Sequence, residues 1–243
     1  AADESWWLEQ RFEGLDLWPW NKGDAQARPV TLSFWVNATK AGTQIVSLYD
    51  VNNTRHISKS YTINSTNTWE RKTLTFSGDT TGTFNRDNAL SLQLIFWLVA
   101  GSNFTSGTLA TSWASYTAAN AAVGQVNNLD STSNNFHVTG LQLELGDTAT
   151  AFQNETQQEN LLKCSRYYAQ RAASNAILYS ANNAGGGGYI DYSHWEFKVP
   201  MRAAPTMTGH TGTQQQINVD SGGVYAAGGY ASWGNDSTAS SEL

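Results

Sequence analysis

The sequence predicts an all-β protein built around an antiparallel β-sandwich, with a short connector helix and a small C-terminal β domain. Three observations support this fold class. From residue 8 to about residue 152 the apolar residues recur with a period of two, in runs separated by turn residues. A helix start signal follows at Thr156, and short glycine-rich strands resume from Asn175. The predicted boundaries are 1–153 for the sandwich, 154–174 for the helix and 175–243 for the C-terminal domain.

The strands of the sandwich are predicted from alternation and from the turn residues between them. In the second strand Leu32, Phe34 and Val36 are expected to face the core and Trp35 the opposite side, because side chains alternate along a strand. Several short strands with turns between them are typical of a sandwich. The predicted strands are Trp7–Phe12, Val30–Val36, Thr43–Asp50, His56–Ile63, Glu70–Phe76, Leu90–Leu98 and Asn135–Leu145.

The last two of these strands flank a long segment that carries little strand pattern. Residues 94–99 are wholly apolar, which predicts a central, buried strand end. The segment 101–133 is rich in Ala, Ser, Thr and Asn and contains Phe104, Trp113 and Tyr116. A loop of this length is uncommon in a compact domain unless it binds something or is packed by its own side chains.

The connector helix is predicted from a capping box, Thr156 with Glu159, in which each side chain can pair with a backbone N–H of the other residue. Leu161, Cys164 and Tyr168 then form one apolar face. Cys164 is the single cysteine, so an intrachain disulfide is excluded. We expect it to be a small buried residue beside Leu161.

The C-terminal domain is predicted to be a thin β unit that depends on the sandwich or on other subunits for packing, since it has few apolar residues. Four consecutive glycines, 185–188, form the expected tip between its first two strands. Its predicted strands are Ala176–Ser180, Tyr189–Val199, Gln216–Val219 and Val224–Trp233.

Charge and hydropathy exclude several classes of partner. Charged residues make up 14% of the chain, against roughly 25% in ordinary globular proteins. The chain has 14 Lys and Arg against 20 Asp and Glu, a net charge of −6, so no nucleic-acid partner is expected. No apolar run approaches the roughly 18 residues of a membrane span, and no export signal is expected.

The sequence contains no recognisable catalytic or cofactor motif. A P-loop, a dinucleotide fingerprint, a nucleophile elbow and an HExxH zinc motif are all lacking. Glu9, Arg11 and Glu13 share one strand face and are expected to form an ion-paired stripe, while Glu144 lies on the last strand. We therefore expect no enzyme activity and no cofactor. A Ca²⁺ ion would need loop oxygens, but no DxDxDG-like cluster is present.

Carbohydrate binding is the favoured chemistry, because aromatic rings stack on the apolar faces of sugars while amides pair with their hydroxyls. Aromatic residues in loops often mark recognition surfaces. The alternative for each is that it anchors its loop against the sandwich. The candidate glycan-binding residues are Trp18, Trp20, Trp113, Tyr116, Asn120, Gln125 and Asn127.

Several motifs resemble a recurrent pattern in bacteriophage tail-fibre and other virion structural proteins. Residues 136–168 are similar to its strand, turn and helix signature, TGxQLExG, ATxF and LxxCxRYY. Four further stretches also resemble the pattern: LEQRFEG at 8–14, VTLSFWV at 30–36, TWERK at 68–72 and VPMRAAPT at 199–206. The resemblance implies a jelly-roll-like sandwich similar to carbohydrate-binding modules.

The resemblance also implies a function. The protein is expected to be a virion component, most simply the distal part of a homotrimeric tail fibre that contacts other virion proteins and recognises a host surface glycan without cleaving it. A purely structural capsid decoration or fibre segment is one alternative, and a polysaccharide depolymerase is another. The six Asn-x-Ser/Thr sequons leave a eukaryotic secreted glycoprotein as a minor alternative.

Overall fold

The computed structural model describes residues 1–169, 179–181, 190–192 and 197–203. The chain divides into two compact units, 1–153 and 154–243. The first unit contains eight strands, a one-turn helix α1 and two 3₁₀ helices, at Gly14–Trp20 and Ala118–Asn120. In chain order these strands and α1 are β1 (Ser5–Glu13), β2 (Val30–Ala38), β3 (Gly42–Asp50), β4 (Arg55–Ile63), β5 (Glu70–Phe76), β6 (Leu90–Ala100), α1 (Ser102–Thr105), β7 (Ala114–Ser115) and β8 (Phe136–Leu145).

The strands form the two antiparallel sheets of a sandwich, which confirms the predicted fold class. One sheet has five strands in the order β1-β6-β3-β4-β7, and the other has three in the order β5-β2-β8. The chain passes from one sheet to the other between β1 and β2, β2 and β3, β4 and β5, β5 and β6, and β7 and β8. This repeated crossing is the jelly-roll-like connectivity that was expected.

The core lies between the sheets and consists of the side chains that alternation predicted. Leu32, Phe34 and Val36 of β2 are at most 1% exposed, whereas Trp35 is 43% exposed on the opposite face. The Phe34 ring meets Phe96 of β6 and Tyr61 of β4 edge to face, with both centroid distances 5.1 Å. These ring contacts join the two sheets at the centre of the core.

The outer face of the three-stranded sheet is crossed by residues 146–153, which we call the strap. The Thr31 hydroxyl donates to the Gly146 carbonyl at 2.8 Å. The Thr150 backbone N–H donates to Glu144 at 2.8 Å, and the Gln153 N–H donates to Gln142 at 2.9 Å. The strap explains why Thr31, whose side chain is not on the core side of β2, is nevertheless buried.

The second unit, described by itself, begins with helix α2 (Gln157–Cys164). Its capping box is formed as predicted, with the Thr156 and Glu159 side chains each accepting a backbone N–H of the other residue. Strands β9 (Tyr179–Ala181) and β10 (Ile190–Tyr192) pair antiparallel. The strands predicted at 216–219 and 224–233, and most of the predicted domain 175–243, lie outside the described residues.

One expectation for this unit is wrong. Cys164 is exposed rather than buried, and Leu161 and Tyr168 are exposed as well. The helix ends at Cys164, so Tyr168 lies past its last turn, and the three side chains do not form one packed face. Among the helices in the described ranges, none has the length and apolar character needed to cross a membrane.

Candidate functional site

The outer face of the five-stranded sheet carries an unusual number of aromatic side chains. In β3, Val46 and Leu48 point into the sandwich, so Tyr49 between Leu48 and Asp50 points outwards. By the same alternation Trp97 of β6 points away from the core residue Phe96. Trp7 of β1 packs beside Trp97, with ring centroids 5.4 Å apart. Three strands therefore place aromatic rings on one outer face.

Part of the long segment between β6 and β8 folds over this face and builds a second, smaller core. Phe104 and Ala121 from this segment pack with Ile45, Ile95 and Trp97 from the sheet. The Ser58 hydroxyl donates to the Ala121 carbonyl at 2.8 Å, which fixes the segment to the sheet. The segment is thus packed by its own side chains, as one of the two sequence-based interpretations expected.

A cleft of about 230 Å³ remains between the outer face of the five-stranded sheet, which includes β1, and the segment that covers it. It is smaller than the roughly 300–1,000 Å³ typical of pockets for drug-sized ligands. It is therefore matched to a small ring or to one unit of a longer ligand. The described residues that line the cleft are Trp7, Ser47, Tyr49, His56, Gln93, Ile95, Trp97, Phe104, Tyr116 and Ala121.

The aromatic rings of the cleft form two groups, each held by ring contacts. Trp97 contacts Trp7 and also Phe104, with a centroid distance of 5.4 Å to each. Tyr116 contacts Tyr49 at 5.2 Å and His56 at 5.0 Å, both edge to face. Trp7 is 42% exposed and Tyr116 37% exposed, so one ring from each group is accessible to a ligand.

A carboxylate at the edge of the cleft fixes the orientation of Trp7. The Trp7 indole N–H donates to Glu9 at 3.1 Å, and the Gln93 amide donates to the same carboxylate oxygen at 2.9 Å. The other Glu9 oxygen accepts from Arg11 at 2.6 Å, which confirms the Glu9–Arg11 part of the predicted stripe. Glu13 instead lies beyond a β-bulge and is buried. The exposed ring of Trp7 is therefore held in place before any ligand arrives.

His56 is the buried polar group of the cleft. Its side chain is on β4, only 1% of the residue is exposed, and neither ring nitrogen has a hydrogen-bond partner within the described part of the chain. Burial lowers the pKa of the imidazole below its ordinary value, so the neutral form is favoured. A neutral imidazole offers one donor and one acceptor, and here both are unused.

Of the residues predicted to bind glycan, Tyr116 lines the cleft and the three tryptophans lie elsewhere. Trp18 is 64% exposed on the first 3₁₀ helix, with the Arg86 guanidinium 4.9 Å from its ring centroid. Trp20 meets Phe84 edge to face at 6.0 Å. The Trp113 indole N–H donates to the Ser77 carbonyl at 2.7 Å. Trp20 and Trp113 thus pack against the body of the sandwich.

The three predicted amides make hydrogen bonds to their own surroundings. The Asn120 side chain accepts the Thr108 N–H at 2.9 Å. Gln125 accepts the Ile45 N–H at 2.7 Å and donates to Gln44 at 2.8 Å, which ties the covering segment to β3. Asn127 accepts the Leu129 N–H at 2.8 Å. None of the three belongs to the described lining of the cleft.

The tryptophans at 20 and 113 lie near a buried ion cluster. The ammonium of Lys22 is 2.7 Å from an Asp50 oxygen and 3.2 Å from an Asp79 oxygen. It also donates to the Thr81 and Gly82 carbonyls at 2.7 and 3.1 Å. The Trp113 ring centroid lies 5.7 Å from the same nitrogen. Lys22 therefore supplies the positive charge for this oxygen-rich pocket.

Arg55 completes the cluster through two hydrogen bonds to Asp79, at 2.8 and 3.0 Å. Burial by itself raises the pKa of Asp79, but the hydrogen bonds from Arg55, Thr81 and Lys22 outweigh this effect, and the pKa lies below its ordinary value. Within the described ranges, no group of three or more His, Cys, Asp or Glu side chains is arranged to hold a metal ion.

Sequence reasoning missed Trp7, Tyr49, Gln93, Trp97 and His56 as site residues. A signal was present, since Tyr49 and Trp97 are aromatic residues at the outward positions of strands whose inward positions are also apolar. A strand with aromatic residues on both faces is either covered on both sides or presents one face to a ligand. The alternation that places Trp35 of β2 opposite the core places Tyr49 and Trp97 on the outer face of their own sheet in the same way.

Comparison with known proteins does not assign the chain to a family. No known protein family, no curated protein and no solved structure matches the chain. The function is therefore inferred from the residues and from the geometry of the cleft.

Proposed function

We propose that the protein is a non-catalytic glycan-binding component of a bacteriophage virion, located in the distal part of a tail fibre. The aromatic cleft on the five-stranded sheet is the observation that supports glycan binding. The virion role is supported by the motif resemblance of residues 136–168 and of the strands at 8–14 and 30–36. The trimeric assembly of this fibre is part of the same proposal and rests on that resemblance.

The chemistry of the cleft suits a sugar ring. A sugar presents C–H groups on its faces and hydroxyls around its edge, so it is recognised by an aromatic plane together with a few polar groups. Trp7 supplies a fixed, partly exposed indole, and Tyr116 supplies a second accessible ring. The cleft volume of about 230 Å³ favours one sugar unit of a longer chain rather than a large ligand.

Binding without cleavage is favoured by the composition of the described lining. Glycoside hydrolysis generally requires two carboxyl groups on either side of the scissile bond. The lining residues that the structure describes include an imidazole, phenols and an amide, and no carboxylate is among them. Glu9, at the edge, is already engaged by Trp7, Arg11 and Gln93. A depolymerase therefore has less support than an adhesin.

The proposal is tested by measuring binding of the full chain to a glycan array and to whole bacterial cells. We expect Trp7→Ala to weaken binding at least tenfold, because it removes the stacking ring. Trp18→Ala is the matched control, since Trp18 is also exposed but lies outside the cleft. If Trp18→Ala loses binding and Trp7→Ala keeps it, the binding site lies on the loop surface that the sequence indicated and not in the cleft.

Two other outcomes would replace the proposal. If the wild-type chain binds no glycan and no cell, a structural fibre or capsid role takes its place. If incubation with host polysaccharide releases reducing ends, and mutation of a carboxylate pair abolishes the release, the protein is a depolymerase.

A further inference from the structure

We infer that His56 is the polar recognition group of the cleft and that it binds a hydroxyl of an uncharged sugar unit. This inference rests on the proposed glycan-binding function and specifies the ligand class and the residue that selects it. Three observations carry it: the state of the His56 ring, the position of Tyr116, and the distribution of charge around the cleft.

The His56 ring is buried and makes no hydrogen bond to any residue that the structure describes, which is uncommon for a polar side chain. Buried polar groups in folded proteins nearly always have a partner, because leaving one unpaired is costly. Here both nitrogens lack one within the described residues, although the ring lines a cleft. A ligand hydroxyl, which can donate and accept, matches the one donor and one acceptor of a neutral imidazole.

Tyr116 is the ring that we expect to move when a ligand reaches His56, because it contacts the imidazole and is itself partly exposed. Its ring lies 5.0 Å from the imidazole and is 37% exposed, whereas the His56 nitrogens are shielded from solvent. Tyr116 directly follows β7, a strand of only two residues at the edge of the sheet. A rotation of the Tyr116 side chain would uncover the imidazole and leave the phenol ring beside the bound sugar.

The charges around the cleft favour an uncharged sugar over an acidic one. The described lining residues include no lysine or arginine. Glu9 is linked to the lining residue Gln93, and its partner Arg11 is already occupied by the carboxylate. Arg55, which precedes His56 in β4, is likewise paired with Asp79. A uronic or sialic acid would place its carboxylate in a partly dry site without a free cation, in a chain of net charge −6.

The test compares the wild-type chain with His56→Leu and His56→Gln on dextran, mannan and galactan, with polygalacturonic acid as the acidic probe. We expect the wild type to bind at least one neutral polymer at least tenfold more tightly than the acidic polymer. His56→Leu should lose at least tenfold in affinity and should unfold at the same temperature as wild type or higher, because it removes unpaired polar atoms. His56→Gln keeps a donor and an acceptor and should retain part of the affinity.

A second readout reports on the ring directly. The imidazole nitrogen resonances of His56 should shift when the neutral polymer that binds best is added to ¹⁵N-labelled protein. Binding of His56→Leu within twofold of wild type, or a preference for polygalacturonic acid, would overturn this inference while leaving glycan binding intact. If the wild type binds no glycan, both proposals are overturned. If Trp7→Ala loses binding but His56→Leu does not, the result supports glycan binding in the cleft and not recognition by His56.

Discussion

At the scale of single residues, Lys22 is the charge on which the loops at one end of the sandwich depend. Its side chain is 3% exposed, and its ammonium contacts two carboxylates and two backbone carbonyls. Such a cluster is costly to assemble, but it is more costly to break, because the carboxylates stay buried when their cation is removed.

We therefore expect Lys22→Met to destabilise the protein by about 3–5 kcal/mol, the range found when one partner of a buried ion pair is removed. Denaturant unfolding followed by tryptophan fluorescence measures this change. Lys163→Met is the control, since Lys163 pairs with Glu155 on an exposed surface and should have no measurable effect. Equal stability of the two variants would mean that Arg55 alone neutralises the cluster.

His56 gives the molecule a pH dependence of its own. Burial holds the pKa of the folded imidazole below the ordinary value of roughly 6.5, so the unfolded chain binds the extra proton first as the pH falls. The free energy of unfolding therefore decreases as the pH falls through roughly 6.5. It becomes constant again once the pH is below the pKa of His56 in the folded protein. Burial raises the pKa of the neighbouring Tyr116, which stays neutral throughout this range.

The measurement is the difference in unfolding free energy between wild type and His56→Leu at pH 7.5 and pH 5. We expect the difference to shift in favour of His56→Leu at the lower pH, because leucine cannot take up a proton. Carboxylates with lowered pKa values titrate at lower pH and contribute equally to both proteins. An unchanged difference would mean that the imidazole is hydrated or paired in solution.

At the scale of elements, the strap accounts for the glycine and the polar residues of the TGxQLExG stretch at 139–146. Gly140 has φ of +57°, and a Cβ there would lie 3.4 Å from the Trp35 ring, so glycine suits this bulge in β8. Gln142 and Glu144 face outwards and hold the strap by its backbone. The TGxQLExG stretch of β8 therefore binds the ATxF stretch of the strap and the residue after it through these hydrogen bonds.

Glu144→Ala should release the strap without unfolding the sandwich. Hydrogen bonds from the Thr150 N–H and hydroxyl lower the pKa of Glu144. Glu144 therefore stabilises the folded strap above its ordinary pKa, and this stabilisation is lost as the pH falls through its pKa in the folded protein. Hydrogen exchange of the Thr150 and Gln153 amides should rise at least tenfold in this variant.

The control for the strap is Asp147→Ala, because the Asp147 side chain accepts only the neighbouring Thr148 hydroxyl among the contacts of the described residues. Exchange in β2 and β6 should stay unchanged in both variants. Faster exchange throughout the sandwich would mean that the strap is part of the cooperative core.

At the scale of the whole molecule, alternation was sufficient to predict the sandwich and insufficient to locate the site. All seven strands predicted for the sandwich are present within two residues of their bounds, because one face of each strand must be buried. The cleft could not be located, since it depends on which strands become neighbours: Trp7, Tyr49 and Trp97 meet only because β6 pairs with both β1 and β3. The prediction for Cys164 was wrong because apolar spacing does not decide whether a helix face is covered: Leu161 and Cys164 both lie within α2, and both are exposed.

The division of the chain predicts that residues 1–153 fold alone and bind glycan as monomers. The main core and the described lining of the cleft all lie within this range. We expect the fragment to unfold cooperatively, with glycan affinity per site within threefold of the full chain.

Sedimentation velocity should give a trimer for the full chain and a monomer for the fragment, because we propose that the region after residue 153 supplies the subunit contacts. A monomeric full chain at micromolar concentration would contradict the trimer, and a trimeric fragment would place the contacts on the sandwich.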